Sequence, residues 1–351
     1  MPGLMKPDAS LTLVVIARDE APRIQRLLRS VAPFVEAMHV LDTGSSDATP
    51  ALAAACGAVV HHRPWPEDFS AARNAALDLA AADWHLVLDA DEWLIDGGPA
   101  LAALRRQPAQ FVGAVRFHEQ LADGSGASSW MSRLFPGHLR YRGRIHEQVV
   151  HDLPVQRLPL NIGHDGYLPE RLAAKRGRNR ALLAQAVAEQ PDDAYLWYQL
   201  GKDCSVYDEH AEADAAFARC AALSPQAAPW WPDLVVRHLF ALKCLQRHAQ
   251  GMDLADAERE RCADLPDFFF ALGDLLLDLA AGQPQHADVL LPMIESAWRR
   301  CLALGERPEL PETVPGRGSW LAAHNLALVL EGTGRGAEAA ALRQSHPSPP
   351  R

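Results

Sequence analysis

Residues 84–96 read WHLVLDADEWLID, an apolar run that climbs into three carboxylates within four positions: Asp89, Asp91 and Glu92. The run itself has the length and composition of a buried strand. Three packed carboxylates repel one another and lose solvation, so a positive charge is expected beside them.

Outward from this stretch, the N-terminal half alternates short apolar runs with helical patterns. LTLVVIA (11–17) reads as a strand, followed by a helix over 21–34. MHVLD (38–42) is a second strand, and TPALAAACG (49–57) a short helix. AVVHHRPW (58–65) is a third strand, FSAARNAALDLAAA (69–82) a helix, and HLVLD (85–89) the fourth strand. Strands alternating with helices imply an α/β domain whose parallel sheet is covered on both faces. Ligands on such sheets gather at the carboxyl ends of the strands. Polar clusters stand at three of those ends: Ala17-Arg18-Asp19-Glu20, Asp42 to Asp47, and Asp89 to Glu92. Strand ends are commonly polar, but three clusters on one edge of one sheet point to a site.

The second half changes period. From Glu170 onward it is nearly all helical pattern, rich in Ala and Leu. Residues 194–225 fit tetratricopeptide spacing, with Trp197, Leu200-Gly201, Ala213, Phe217 and Pro225 at the expected positions. Weaker copies begin at 268–282 and 322–343, and 230–246 reads as a degenerate one. Stacked helical repeats bind peptides or partner chains, or else stabilise or dimerise their own chain; both readings stand open. The closing SHPSPPR (345–351) reads as a disordered tail.

Composition narrows the classes. The 351 residues suffice for two domains, and the formal charge of −10 with no long Lys/Arg run excludes a nucleic-acid footprint. The short basic cluster KRGRNR (175–180) reads as a solvated helix face. Six cysteines stand singly, without CxxC pairs, as expected of small buried residues in a reducing compartment. MPGLMKPDAS lacks a signal-peptide apolar core, and no run approaches a membrane span, so a cytoplasmic protein is expected. Peripheral membrane contact stays open.

The segments VIARDEAPRIQRLLRSV, VLDTGSSDATP, WPEDFSAARNAAL, WHLVLDADEWL, MSRLFP and YRGRIHEQV, in this order, resemble family 2 glycosyltransferases of the GT-A fold over about residues 10–165. The chain is similar to a subgroup with a C-terminal tetratricopeptide region, which includes the sublancin peptide S-glycosyltransferase, and to lipopolysaccharide-core glucosyltransferases. The resemblance implies a Rossmann-like mixed-sheet GT-A domain over 1–168 and an all-α tetratricopeptide-like domain over 169–344.

It further implies a nucleotide-diphosphate sugar donor, with UDP-glucose the first guess, and a divalent cation, Mn²⁺ or Mg²⁺, bridging diphosphate oxygens. Asp89-Ala90-Asp91 resembles the family's DxD motif, with Asp91 as metal ligand and Asp89 reaching ribose or a metal-bound water. Ala17, Arg18, Glu20 and Asp42 resemble residues that line base and ribose, and Arg73 one facing base or diphosphate. Inverting transfer needs a base for the acceptor nucleophile. Glu147 is the candidate, with His146 exchangeable for it, and His146 or His164 completes the metal sphere. Arg133 and Arg144 are open between neutralising diphosphate and ordinary ion pairing. Gly44 and Ser45 read as turn and cap formers.

The acceptor expected is a peptide or protein side chain, or a glycan or lipid-linked sugar. The helical domain could also form a homodimer. The competing reading is a repeat scaffold with a degenerate transferase domain; the intact ARDE, DTGSSD, DADE and RIHEQ segments argue against it. A nucleotidyltransferase would carry a Gly-rich loop where Arg-Asp-Glu-Ala-Pro stands.

Overall fold

The computed structural model describes residues 9–120, 126–165, 177–223, 225–310 and 312–348. The chain forms two compact units, Met1–Ala186 and Val187–Arg351. The boundary expected at 168/169 and the end of the tail lie outside the described residues.

The first unit is built on an eight-stranded sheet. Its strands are β1 (Leu11–Ala17), β2 (Ala37–Asp42), β3 (Val59–His62), β4 (Trp84–Val87), β5 (Glu92–Asp96), β6 (Val112–Gln120), β7 (Gly126–Pro136) and β10 (Val155–His164). They run in the order β3-β2-β1-β4-β7-β6-β10-β5, and β8 (Tyr141–Arg142) pairs separately with β9 (Gln148–Val149). The first four strands are parallel, as their apolar runs imply. Beyond β4 the sheet is mixed: β7 runs antiparallel to both β4 and β6, and β5 antiparallel to β10. β6 and β7, consecutive in the chain, pair antiparallel, whereas a parallel pair requires a long crossover.

β1 is buried on both faces. Leu11, Leu13, Val15 and Ala17 pack with α1 (Ile24–Val31) through Ile24, Leu27, Leu28 and Val31. Val14 faces the opposite way, against Ala76 and Leu77 of α3 (Phe69–Ala80). Asp68 caps α3 by accepting the Ala71 amide at 2.9 Å, so the helix begins where Arg73 falls in its second turn. Helices therefore cover both faces, and the carboxyl ends of β1, β2 and β4 come together at one edge.

The second unit is helical. Consecutive helices pack in pairs: Ala194–Val206 with His210–Ala222, Trp231–Cys244 with His248–Glu258, Pro266–Gly282 with Ala287–Leu304, and Trp320–Gly332 with Gly336–Ser345. One apolar cluster runs through all four pairs, from Tyr198 and Phe217 to Trp298 and Leu330. Gly201 has no side chain because a Cβ there would run into the Phe217 ring. That explains why the Leu-Gly and aromatic positions of the repeat occur together. The six cysteines are free, four of them buried. Among the described residues no helix is long and apolar enough to cross a membrane.

Candidate active site

β4 stops at Val87 and the chain turns over Asp89–Glu92 before starting β5. Glu92 braces the turn from both sides: its amide donates to the Asp89 carbonyl at 3.0 Å and its carboxylate accepts the Asp89 amide at 2.9 Å. β5 then pairs with β10, in the register His164↔Glu92 and Gly163↔Trp93. The Asp165 amide donates to the Asp91 carbonyl at 3.4 Å, and His164 Nε2 lies 3.7 Å from Asp91 Oδ2. Residues more than seventy positions apart thus set an imidazole beside the second aspartate of the motif.

The positive charge that the carboxylates require is partly the protein's own. Arg73, 5% exposed, donates from Nη2 to Asp89 Oδ1 at 2.7 Å and from Nε to Glu147 Oε1. Arg133 donates from Nη2 to Asp89 Oδ2 at 3.2 Å and to Glu92. Burial opposes ionisation of Asp89, but Arg73 and then Arg133 outweigh it and hold that carboxyl well below the usual carboxylate range. Glu92 goes the other way: burial, helped by its acidic neighbours, pushes it up to about 7 in spite of Arg133. Burial also pushes the Tyr141 hydroxyl up to about 12. Tyr141 Oη, Arg73 Nη1 and Arg133 Nε are buried and lack a protein partner, so the site holds unspent hydrogen-bond donors beside its carboxylates.

The loops after β1 and β2 are laced together. The Asp19 amide donates to Ser45 Oγ at 2.9 Å, the Ser46 amide to Asp19 at 2.7 Å, and the Glu20 amide to Thr49 Oγ1 at 2.8 Å. Asp42 is 4% exposed and accepts the Ser45 amide at 3.2 Å. Its burial is outweighed by hydrogen bonds from Ser45, His62 and Gly44, which keep it below the ordinary aspartate range. Ala17 is buried, its carbonyl taken by the Thr43 amide at 2.9 Å, whereas Arg18 is exposed. Gly44 and Ser45 form the turn under Asp42.

The expected residues separate into groups. Asp89, Arg73 and Glu147 join one ion-paired chain, Asp91 and His164 form a second pair, and Ala17, Glu20 and Asp42 line the strand ends behind. Ala90 is buried in the turn between the aspartates. His146 is exposed in the turn before Glu147, with φ +51°. Two residues given no role by sequence reasoning also stand here. Tyr141 lies in the YRGRIHEQV segment, where only the charged residues were weighed. Arg178 belongs to the basic cluster read as a solvated helix face, of which 175 and 176 lie outside the described residues. Its guanidinium is 5.5 Å from the Phe69 ring centroid. The residue is exposed, as a solvated face expects, yet partial desolvation of the guanidinium and then Arg18 lower its pKa against the pull of Glu20 and Asp91.

Among the described residues no group of three or more His, Cys, Asp or Glu side chains could hold a metal ion. A cation shared with a ligand needs fewer protein donors, and one carboxylate with one imidazole is a set that suits Mn²⁺. Four carboxylates (Asp89, Asp91, Glu92, Glu147) face two guanidiniums (Arg73, Arg133), and that excess of acid also fits a cation.

The family model for glycosyl transferase family 2 matches residues 12–156. Among curated proteins, the chain is 40% identical over 210 residues to a TPR repeat-containing protein of Synechococcus elongatus, covering 55% of this chain and 52% of that one. It is 26% identical over 226 residues to the SPbeta prophage-derived glycosyltransferase SunS of Bacillus subtilis, covering 60% of this chain and 53% of the relative. The chain thus spans about half the length of these relatives. Of solved structures, glucosyl-3-phosphoglycerate synthase from Mycobacterium tuberculosis, in complex with Mn²⁺, UDP and glucosyl-3-phosphoglycerate, aligns with 32% of this chain and 44% of its own. The identity is 24% and the TM-score 0.27. MamA aligns with 50% of this chain and 89% of its own at 13% identity and a TM-score of 0.39.

Proposed function

From the premise that residues 12–156 form a family 2 glycosyltransferase domain joined to tetratricopeptide-like repeats, we propose that this protein is a metal-dependent inverting glycosyltransferase. It transfers a hexose from a nucleotide-diphosphate sugar, a UDP-sugar first, to a peptide or protein side chain held in part by the repeats. Glycan and lipid-linked sugars are the competing acceptors. The observation that carries the reading is the meeting of Asp91 with His164 at 3.7 Å beside the Arg73-bridged Asp89 and Glu147.

Asp91 and His164 would hold the Mn²⁺ or Mg²⁺. That cation supplies Lewis-acid neutralisation of the leaving diphosphate. Asp42, Ala17, Arg18 and Glu20 receive base and ribose, and Asp89 borders the ribose while its own charge is balanced by two guanidiniums. Glu147 has one oxygen turned to Arg73, which leaves the other to take the acceptor's proton. As that proton moves, the acceptor heteroatom bonds to the anomeric carbon from the opposite side to the leaving group. The anomeric C–O bond breaks, and its electron pair leaves with the nucleoside diphosphate.

The test is hydrolysis and thermal-shift screening of UDP-, GDP- and dTDP-sugars with and without Mn²⁺. A metal-dependent shift with one nucleotide class is expected; a well-folded sample that responds to none would return the repeats to the position of working part. In Asp91→Ala, transfer and metal-dependent donor binding should both fall by more than about 100-fold, since even outer-sphere changes reach that figure. Turnover near wild type would refute the metal role of Asp91.

A further inference from the structure

Asp165 follows His164 directly and is 7% exposed. A buried carboxylate needs paired charge, and here two guanidiniums provide it, from Arg23 at the N-cap of α1 and Arg26 in its first turn. Arg23 Nε donates to Oδ1 at 3.2 Å and Arg26 Nη2 to Oδ2 at 2.6 Å. The arginines are three positions apart, so both reach the same side of the helix.

Each arginine also grips something else. The Arg26 guanidinium stacks on Trp93 of β5, 3.6 Å from the ring centroid. Trp93 in turn lies against Gly163 so closely that a Cβ there would run into its ring. The second nitrogen set of Arg23 reaches Glu20, in the loop after β1, at 3.5 Å. The start of α1, with its N-cap, therefore holds the end of β10 through Asp165, β5 through Trp93 and the loop after β1 through Glu20. The Asp91–His164 pair lies beside these three holds. What they hold is the backbone on either side of that pair, where the Asp165 amide meets the Asp91 carbonyl.

We infer that Asp165 is a positioning residue, which with Arg23 and Arg26 sets the separation of Asp91 and His164 and so the affinity of the site for its divalent cation. The inference rests on the function proposed above. It also gives that site a mechanical link to the loop carrying Glu20: a nucleotide that settles Glu20 steadies Arg23, and through Asp165 the strand bearing His164.

The probe is Mn²⁺, titrated by EPR into the full chain with and without saturating UDP, with transfer measured over the same Mn²⁺ range. Wild type should bind Mn²⁺ more tightly with UDP present. Asp165→Asn should raise the Mn²⁺ dissociation constant and the Mn²⁺ concentration for half-maximal rate together, by about tenfold or more. Its kcat should recover at saturating Mn²⁺. A folded Asp165→Asn with unchanged Mn²⁺ affinity overturns the inference, as does a loss of rate that added Mn²⁺ fails to restore. If Asp165→Asn does not fold, Arg26→Gln carries the same test, because that guanidinium is 40% exposed and its removal leaves the Arg23 bond in place. Wild type that binds no Mn²⁺ with UDP sinks the proposed function and this inference together. Normal wild-type binding with an unshifted variant sinks the inference alone.

Discussion

Arg73 shows how much of the site one side chain organises. It joins Glu147, the proposed base, to Asp89 of the Asp89-Ala90-Asp91 segment, and it is almost wholly buried. Replacing it by Ala strands Glu147, while Asp89 keeps Arg133, and breaking such a buried pair costs about 3–5 kcal/mol, measurable by urea unfolding. Arg73→Lys should rescue little of that, since a single ammonium lacks the fork that spans both acids. Glu147→Gln separates chemistry from stability. The amide keeps an oxygen for Arg73 yet takes no proton, so donor affinity should hold while kcat falls by about 10²–10⁴-fold. A near-normal rate would move the base to His146. Asp89, Asp91, Arg73 and the RIHEQ segment could be picked out from the sequence as candidates, and the structure joins Asp89, Arg73 and Glu147. The ion pairs between them were not legible: the partners of Asp89 lie 16 and 44 positions away, and nothing local encodes which arginine meets which acid.

At the scale of elements, β1 to β4 were readable because strands buried on both faces leave unbroken apolar runs. β5 left no such trace. It lies at the sheet edge, and only Glu92 and Leu94 of EWLID are buried. The helix expected over 21–34 shortens to Ile24–Val31, because Pro33 carries the chain into a 3₁₀ turn. The packing of β4 against α3 and its neighbours has a pH consequence at His85. Its Nε2 accepts the Ala82 amide at 3.3 Å, and its Nδ1 is buried without a partner. Burial first, then Arg140 and His39, lower its pKa to about 4. The folded pKa lies below the unfolded one, so the unfolded chain binds the extra proton between pH 6.5 and 4. Stability is therefore whole above that window and drains as pH falls through it, by about 2 kcal/mol from pH 7 to pH 5. Urea unfolding at the two pH values should give that loss, and His85→Gln should flatten it.

On the scale of the whole molecule, the repeat region was legible where glycine and aromatic positions coincide, as at Gly201 and Phe217. The pair Trp231–Cys244 with His248–Glu258 showed only as a degenerate copy, because its first helix contains no glycine to mark the crossing. Neither unit is expected to need an inorganic staple: the second has one continuous apolar cluster, and in the first Asp89, Glu92, Glu147 and Asp165 are each met by an arginine. Dialysis against EDTA should therefore move the melting temperature by no more than about 2 °C, in contrast to proteins folded around zinc. Because the arginines already balance Asp89, Glu92 and Glu147, a cation at the proposed Asp91–His164 site would be held as much by the nucleotide it arrives with as by the protein. On the proposed function, the supply of donor rather than of metal would then set how often the site is filled.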